Sequence, residues 1–147
     1  MLIDKTSLPL VAMEFMNEVH LEDVDIINQL FEEILEYEAS PSLPNEEKLN
    51  TLYQEWFTHT INHFQGEEEM MQEKGFPPYP VHKSEHQYAL DKMDTIFKEW
   101  KESKDIQILK HYFIEELVPW LSNHIQTMDT VTAMFFKTGL SPCAMKH

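Results

Sequence analysis

Apolar side chains recur three and four residues apart along most of the chain, and charged residues occupy the positions between them. This spacing is typical of amphipathic helices, which bury one face and expose the other. In the first such segment the face to be buried consists of Val24, Ile27, Phe31 and Ile34. Comparable faces follow in three later segments, so the pattern predicts four long helices.

The ends of the predicted helices lie where the apolar spacing is interrupted by proline, glycine or small polar residues. The predicted helices span residues 17–38, 45–74, 81–103 and 105–137. About 14 residues before them are predicted to form an irregular N-terminal arm. Four long helices with short links are typical of an up-down-up-down four-helix bundle. We therefore expect an all-α fold in which the whole chain, 1–147, forms one domain.

Individual residues mark several of these ends. Asn45 is the predicted N-cap of the second helix, and Gly75 is its predicted C-cap. The fourth helix is predicted to end at Gly139, with Pro142 just beyond it. Pro119 lies inside that helix, where we expect it to kink the helix or to remove one backbone hydrogen bond.

Composition narrows the classes of partner. The chain of 147 residues has a formal net charge of −15, so nucleic acid and anionic membranes, which carry negative phosphates, are not expected to bind it. No segment approaches the roughly 20 apolar residues of a membrane span, and the N-terminus lacks a secretory pattern. We therefore expect a cytoplasmic protein. We also expect a monomer, because no apolar stripe is left over once the bundle faces are assigned.

The single cysteine, Cys143, excludes a disulfide within the chain and any cysteine-rich zinc or iron–sulfur site. We expect it to be a bystander thiol. Metal chemistry, if present, must therefore use histidine and carboxylate ligands.

Histidine occurs on the face that each of the four predicted helices must bury, and two carboxylates accompany it. The seven residues are His20, His63, Glu67, His82, His86, His124 and Asp129. Burying so many polar groups without partners would cost roughly 1–3 kcal/mol each. A domain with a total stability of roughly 5–15 kcal/mol could not carry that cost, so a partner such as a bound metal is required.

The spacing of these residues supports a shared site. His82 and His86 are four residues apart, which places both imidazoles on one helix face, and His63 and Glu67 repeat that spacing. His124 and the following aspartate are five residues apart, or roughly 140° around a regular helix. On geometry alone, a shared helix face is therefore less well supported for His124 and Asp129. Their spacing fits a common site if the aspartate bridges two metals and the histidine binds only one.

The donor types restrict the metal. Imidazole nitrogen with carboxylate oxygen suits iron, zinc, copper or nickel, and seven protein ligands exceed one coordination sphere, so two ions are expected. The ferritin-like di-iron motif is absent, because no histidine has a glutamate three residues before it. The zinc-protease motif His-Glu-x-x-His is absent as well.

The ordered motifs resemble those of the hemerythrin family, most closely its bacterial single-domain members. The resemblance covers about residues 15–136 and rests on His20, His63-Phe64-x-x-Glu67, His82-x-x-x-His86 and His124-Ile125-x-x-x-Asp129. It implies that one iron is bound by His82, His86 and His124. It implies that the other iron is bound by His20 and His63. The two carboxylates, with an oxo or hydroxo group, would bridge the irons.

By the same resemblance, the iron with two histidines has an open position at which O2 binds reversibly. The protein would then carry, store or buffer O2 and would not be an enzyme. O2 carriage needs a dry apolar pocket, because water that reaches bound O2 promotes oxidation of the iron. The candidate pocket residues are Leu121, Ile125, Phe64 and Trp56.

Two alternative functions stay open from the sequence. One is a di-iron enzyme that handles peroxide or nitric oxide, and the other is a sensor of O2, iron or redox state. The sequence shows no further acid, base or nucleophile directed at the open iron, which argues against the enzyme. No fused signalling module is expected, which argues against the sensor. An electron donor is a further potential partner.

The other polar residues near the motifs are expected to have structural or solvent-facing roles. His59 is expected at the boundary of the core or behind a ligand, and His111 is expected in solvent. His147 is terminal, and Glu68 and Glu69 are expected to be solvated.

Overall fold

The computed structural model describes residues 1–138. Its long helices are α1 (Glu14–Ala39), α2 (Leu43–Glu73), α3 (Tyr79–Ser103) and α4 (residues 106–138). No strand occurs within the described residues, so the expected all-α fold is confirmed. The predictions made for Gly139, Pro142, Cys143 and His147 lie outside this range.

The four helices form a closed bundle. α1 packs on α2, α2 on α3, α3 on α4, and α4 returns to α1. The links occupy only residues 40–42, 74–78 and 104–105, which are short enough to require that successive helices run antiparallel. None of the described helices is long and apolar enough to cross a membrane.

The start of α2 differs from the sequence prediction. Ser42 is the N-cap, because its Oγ accepts a hydrogen bond from the backbone N–H of Asn45 at 3.2 Å, so the predicted cap at Asn45 is wrong. Pro44 occupies the first turn, where its missing N–H costs no helical hydrogen bond. At the other end Gly75 follows the helix with a φ of 66°, a left-handed conformation that glycine adopts without strain.

The N-terminal arm is irregular apart from one 3-10 turn, and two asparagines of α1 fasten it to the bundle. Asn28 donates to the carbonyl of Ile3 at 2.9 Å and accepts from its N–H at 2.8 Å. Asn17 forms the same pair of bonds with Val11, at 3.0 and 2.9 Å. These bonds satisfy the arm's backbone and hold Ile3 and Val11 in the core.

The bundle has an apolar half and a histidine half. Large side chains fill the half that contains the end of α1 and the start of α2, and they include Leu30, Ile34, Tyr53, Trp100 and Phe113. Their few polar atoms are satisfied: the Tyr53 hydroxyl donates to the carbonyl of Met93 at 2.7 Å. All seven predicted ligands lie in the opposite half, so the apolar half can stabilise the fold independently of a metal.

α4 contains two turns with π-helical hydrogen bonding, Tyr112–Leu117 and Ile125–Asp129. In the first, the N–H of Val118 bonds to the carbonyl of Phe113, five residues earlier instead of four. Pro119 follows immediately, and the helix continues beyond it to residue 138. The wide turn therefore accommodates the proline without ending the helix.

The second wide turn changes which residues of α4 are buried. The regular spacing of the sequence predicts a buried face at Met128, Val131 and Phe135, but all three are only half-buried. The buried positions are Asp129, Thr132, Ala133 and Phe136. The prediction is wrong by one residue because a π turn adds one residue to the helix and rotates everything after it.

Candidate metal centre

The structure brings the seven predicted ligands together in the interior of the bundle. Their donor atoms form two groups, and within each group the atoms lie within 4.8 Å of one another. One group consists of His82, His86, His124 and Asp129, and the other consists of His20, His63 and Glu67. α1 contributes one of these residues and each of the other helices contributes two.

Asp129 contacts histidines of both groups. Its Oδ2 lies 2.9 Å from Nε2 of His20, and its Oδ1 lies 3.1 Å from Nε2 of His82 and 3.2 Å from Nε2 of His124. The π turn explains the last contact, because its hydrogen bonds join residues five apart and bring His124 and Asp129 to one side of α4. The sequence predicts that these two residues lie roughly 140° apart on a regular helix. The π turn corrects that expectation.

Glu67 has the same intermediate position on α2. Its Oε2 lies 2.7 Å from Nε2 of His63, while its Oε1 lies 3.3 Å from Nε2 of His82 and 3.8 Å from Nε2 of His86. Neither oxygen makes a hydrogen bond, because even the shortest approach lacks hydrogen-bond geometry. Each carboxylate therefore lies between the two groups, as a bridging ligand must.

Several buried donor atoms at this centre have no hydrogen-bond partner. They include both oxygens of Glu67, Oδ1 of Asp129, and Nε2 of His63 and His86. Around an ion with bonds of about 2.1 Å, neighbouring ligand atoms lie about 3 Å apart. The contacts of 2.7–3.3 Å between the carboxylates and imidazoles match that spacing. The donor set fits a metal centre.

Carboxylates outside the cluster orient two of the histidines. Nδ1 of His86 lies 3.0 Å from Oε2 of Glu68, and Nδ1 of His124 lies 2.9 Å from Oε1 of Glu85. An ionised carboxylate only accepts hydrogen bonds, so each Nδ1 carries the proton and each Nε2 presents its lone pair to the centre. The expectation that Glu68 is solvated is therefore wrong, since its side chain is 20% exposed and contacts His86.

A hydroxyl group orients the third histidine of the first group. Nδ1 of His82 lies 2.7 Å from Oγ1 of Thr132, which is fully buried. The sequence prediction missed this residue, because a regular helix places Thr132 at the edge of the predicted face, one turn after Met128. The π turn brings it in, together with Asp129.

The electrostatic balance of the cluster suits a cation. Burial and the neighbouring His82 and His124 lower the pKa of His86 to about 2, which keeps it in the neutral form that binds metals. Burial alone would also lower the pKa of His82, but its contacts with Asp129 and Glu67 together outweigh burial and raise the value to about 9. Burial opposes ionisation of Asp129, yet its close contacts with His124, His20 and His82 hold its pKa well below the usual range. Asp129 is thus an ionised carboxylate in the core.

Comparison with known proteins agrees with this donor set. Residues 11–135 match the family model described as the hemerythrin HHE cation binding domain. The chain belongs to the hemerythrin family. This hemerythrin is 32% identical over 133 residues to a protein named bacteriohemerythrin from Aquifex aeolicus (strain VF5), which covers 90% of this chain and 96% of that protein.

A second relative is more distant. This hemerythrin is 26% identical over 137 residues to a bacteriohemerythrin from Stenotrophomonas maltophilia (strain R551-3), covering 93% of this chain and 83% of the other. No solved structure matches the chain significantly. The resemblance to bacterial hemerythrins is thus confirmed, whereas the assignment of individual ligands stays a prediction.

A cavity of about 60 Å³ reaches the centre from one side. The clustered residues that line it are His20, His63, His124 and Asp129. Three of the predicted pocket residues, Trp56, Phe64 and Leu121, line it as well, whereas Ile125 is fully buried outside its lining. The cavity therefore reaches both histidines of the second group but only one of the first.

One buried acid near the second group was missed. Asp23 lines the cavity, with its Oδ2 3.9 Å from Nδ1 of His63 and its Oδ1 3.7 Å from Nε2 of His59. Burial raises the pKa of Asp23. The expectation that no further acid is directed at the open iron is therefore wrong. Asp23 follows His20 by three residues on the same helix face, and this spacing could have indicated the acid. His59 is half-buried behind this acid, whereas His111 is exposed.

Proposed function

We propose that this hemerythrin binds O2 reversibly at two iron ions held by the seven clustered residues, and that it carries, stores or buffers O2. Hemerythrins are oxygen-binding proteins with a di-iron centre and are not enzymes. The observation that carries the proposal is the cavity, because it leads to the group with only two histidines. A site with fewer protein ligands leaves a coordination position for a small molecule.

Each side chain has a distinct task in this proposal. The iron pair, when bound, supplies electrons that O2 can take up and return. His82, His86 and His124 would hold one ion. His20 and His63 would hold the other. The two carboxylates would bridge the ions, with an oxo or hydroxo group as the third link.

The walls of the cavity keep water from the bound ligand. Trp56, Phe64 and Leu121 form apolar parts of its lining, and all three are buried. The outer hydrogen bonds to Nδ1 fix the three imidazoles of the first group, so the ion there keeps its coordination geometry during each binding event.

A di-iron enzyme that handles peroxide or nitric oxide is the second candidate, and one observation favours it. Asp23 and Thr60 line the cavity, so a buried acid lies within reach of a small ligand there. Such a group could transfer a proton during turnover. The same experiment distinguishes the two functions.

The experiment is to reduce the protein with dithionite, desalt it without air, and record the visible spectrum before air, in air and again under argon. Reversible O2 binding predicts a colourless reduced protein with about two irons per chain. Charge-transfer bands should appear in air and disappear under argon. Bands that persist after O2 is removed would indicate ferric iron and would favour the enzyme or a sensor.

A polar substitution in the cavity wall is expected to shorten the lifetime of the oxygenated form. In Leu121→Thr a hydroxyl replaces an apolar group of the lining, so water and protons reach the ligand more readily. We expect autoxidation to accelerate by roughly tenfold, corresponding to about 1.4 kcal/mol in the barrier. The decay of the charge-transfer bands in air measures the rate, and Leu35→Thr, at a half-exposed site, is the control. Equal rates in both variants would remove Leu121 from the pocket.

Acid is expected to release the metal. Imidazole binds metals only in its neutral form, and its ordinary pKa is about 6.5, so protons compete increasingly as the pH falls below about 6. Iron per chain, measured after dialysis to equilibrium at a series of pH values, should therefore decrease steeply below that point. Iron retained in full at about pH 4 after prolonged dialysis would contradict a site that depends on five histidines.

A further inference from the structure

The two groups of ligands differ in how firmly their histidines are oriented. In the first group each Nδ1 already makes a hydrogen bond of 2.7–3.0 Å to an oxygen outside the cluster. In the second group Nδ1 of His20 and Nδ1 of His63 are buried and have no hydrogen-bond partner. The first site is therefore preorganised for a metal, and the second is not.

Asp23 is the acid next to the second group. Its Oδ2 lies 3.9 Å from Nδ1 of His63, which is slightly beyond hydrogen-bond distance. A water bonded to both atoms at about 2.8 Å would hold them about 4.5 Å apart. The observed distance is shorter, so a small movement would bring the two atoms into a direct hydrogen bond. Nδ1 faces away from Nε2, so Asp23 lies on the outer side of the imidazole and not among the metal-facing atoms.

A second histidine lies next to the same acid. Nε2 of His59 lies 3.7 Å from Oδ1 of Asp23, and both atoms are buried without a hydrogen-bond partner. His59 precedes His63 by four residues on α2, so both imidazoles approach the acid from the same helix. The two oxygens of Asp23 thus each face one imidazole.

We propose that Asp23 is a positioning residue for the second metal, and that it accepts hydrogen bonds from His63 and His59 when that metal binds. A carboxylate at Nδ1 fixes the proton there and directs the lone pair of Nε2 to the ion. This proposal rests on the proposed function, because it assigns His63 to a metal. It follows that the two ions bind unequally, the first to a preorganised site and the second to a site that is ordered on binding.

The test is a stepwise titration of the metal-free 147-residue chain with Co²⁺, whose visible absorption reports each ion bound. Asp23→Asn preserves the size of the side chain but replaces an ionised hydrogen-bond acceptor with a weaker, neutral one. It is expected to lower the affinity for the second equivalent about 10–100-fold and to leave the first unchanged. Glu85→Gln, which alters the partner of His124, is the matched control and is expected to weaken the first equivalent instead.

A second variant and a second measurement make the result independent of folding defects. His59→Gln, at a half-exposed position, is expected to lower the affinity of the second equivalent by a smaller factor than Asp23→Asn. ¹⁵N NMR of the Zn²⁺-loaded chain should show a proton on Nδ1 of His63, with a signal that shifts in Asp23→Asn. An unchanged second equivalent, or equal weakening of both equivalents, would overturn the proposal.

The titration also separates this proposal from the proposed function. Co²⁺ binding is counted without O2, so its outcome does not depend on whether the iron-loaded protein binds O2. If the unaltered chain binds fewer than two ions, the proposed di-iron function fails before the variants are compared. If it binds two ions that Asp23→Asn leaves equally tight, only the role of Asp23 is overturned.

Discussion

Asp129→Asn is expected to abolish retention of both irons, because Asp129 contacts histidines of both groups. Its oxygens lie 2.9 Å from His20 and 3.1 Å from His82. The asparagine has almost the same shape, so the packing is kept, but the negative charge shared by the two ions is lost. We expect each affinity to decrease by at least about 100-fold, which is the upper end of the loss seen for outer partners. Iron per chain after desalting measures the effect.

Asp91→Asn is the control for this substitution. Asp91 is exposed on α3, where it accepts a hydrogen bond from Gln87 at 2.9 Å, so the same chemical change there removes a surface charge and nothing else. It should retain about two irons per chain. A metal content that is equal in the two variants would show that Asp129 is not a ligand.

Trp100→Ala is expected to destabilise the metal-free protein by roughly 3–5 kcal/mol, the usual cost of truncating a buried tryptophan. Trp100 is fully buried and packs edge-on against Tyr37, with ring centroids 5.1 Å apart. Its Nε1 also donates to Oδ1 of Asn50 at 2.8 Å, and that acceptor would lose its partner. Denaturant unfolding at neutral pH, in the presence of a chelator, measures the free energy of unfolding.

The control for Trp100→Ala is Tyr88→Ala, which truncates an aromatic residue of the same helix that is 60% exposed. Its effect on stability should stay within about 0.5 kcal/mol. Trp100 lies roughly 21 Å from His86 along the axis of α3, so folded Trp100→Ala should still bind two metals. A loss below about 1 kcal/mol for Trp100→Ala would show that the apolar half does not carry the stability of the bundle.

The four helices and the clustering of the seven polar residues could be predicted because both depend on local spacing. A buried helix face shows its period directly in the sequence, and residues four apart, such as His82 and His86, share a face wherever the helix lies. The same helical spacing also indicated that several histidines lie on buried faces. The convergence of the four faces then follows from bundle geometry.

The π turn after His124 could not be predicted, because no residue type specifies it. A regular period assigns Met128 to the core and places Asp129 roughly 100° away from it, whereas the structure buries Asp129 and leaves Met128 half-buried. The contacts of Asp129 with His20 and His82 depend on tertiary structure, because both histidines lie on other helices. Thr132, the hydrogen-bond partner of His82, was missed for the same reason, because the π turn that buries it could not be predicted.

Asp23 was missed for a different reason. The chain has 26 acidic residues, and most of them face solvent, so one buried acid is not distinguished by composition. Its spacing from His20 indicated the right face, but its significance depends on His59 and His63 of another helix. Only the packing of α1 on α2 brings the three side chains together.

A crystal structure of the iron-loaded protein, with anomalous data collected at the iron absorption edge, would locate the metal ions directly. We expect two anomalous peaks inside the bundle, one contacting His82, His86 and His124 and the other contacting His20 and His63. Glu67 and Asp129 should contact both peaks. A single peak, or iron bound only by surface carboxylates, would contradict a di-iron centre built from these seven residues.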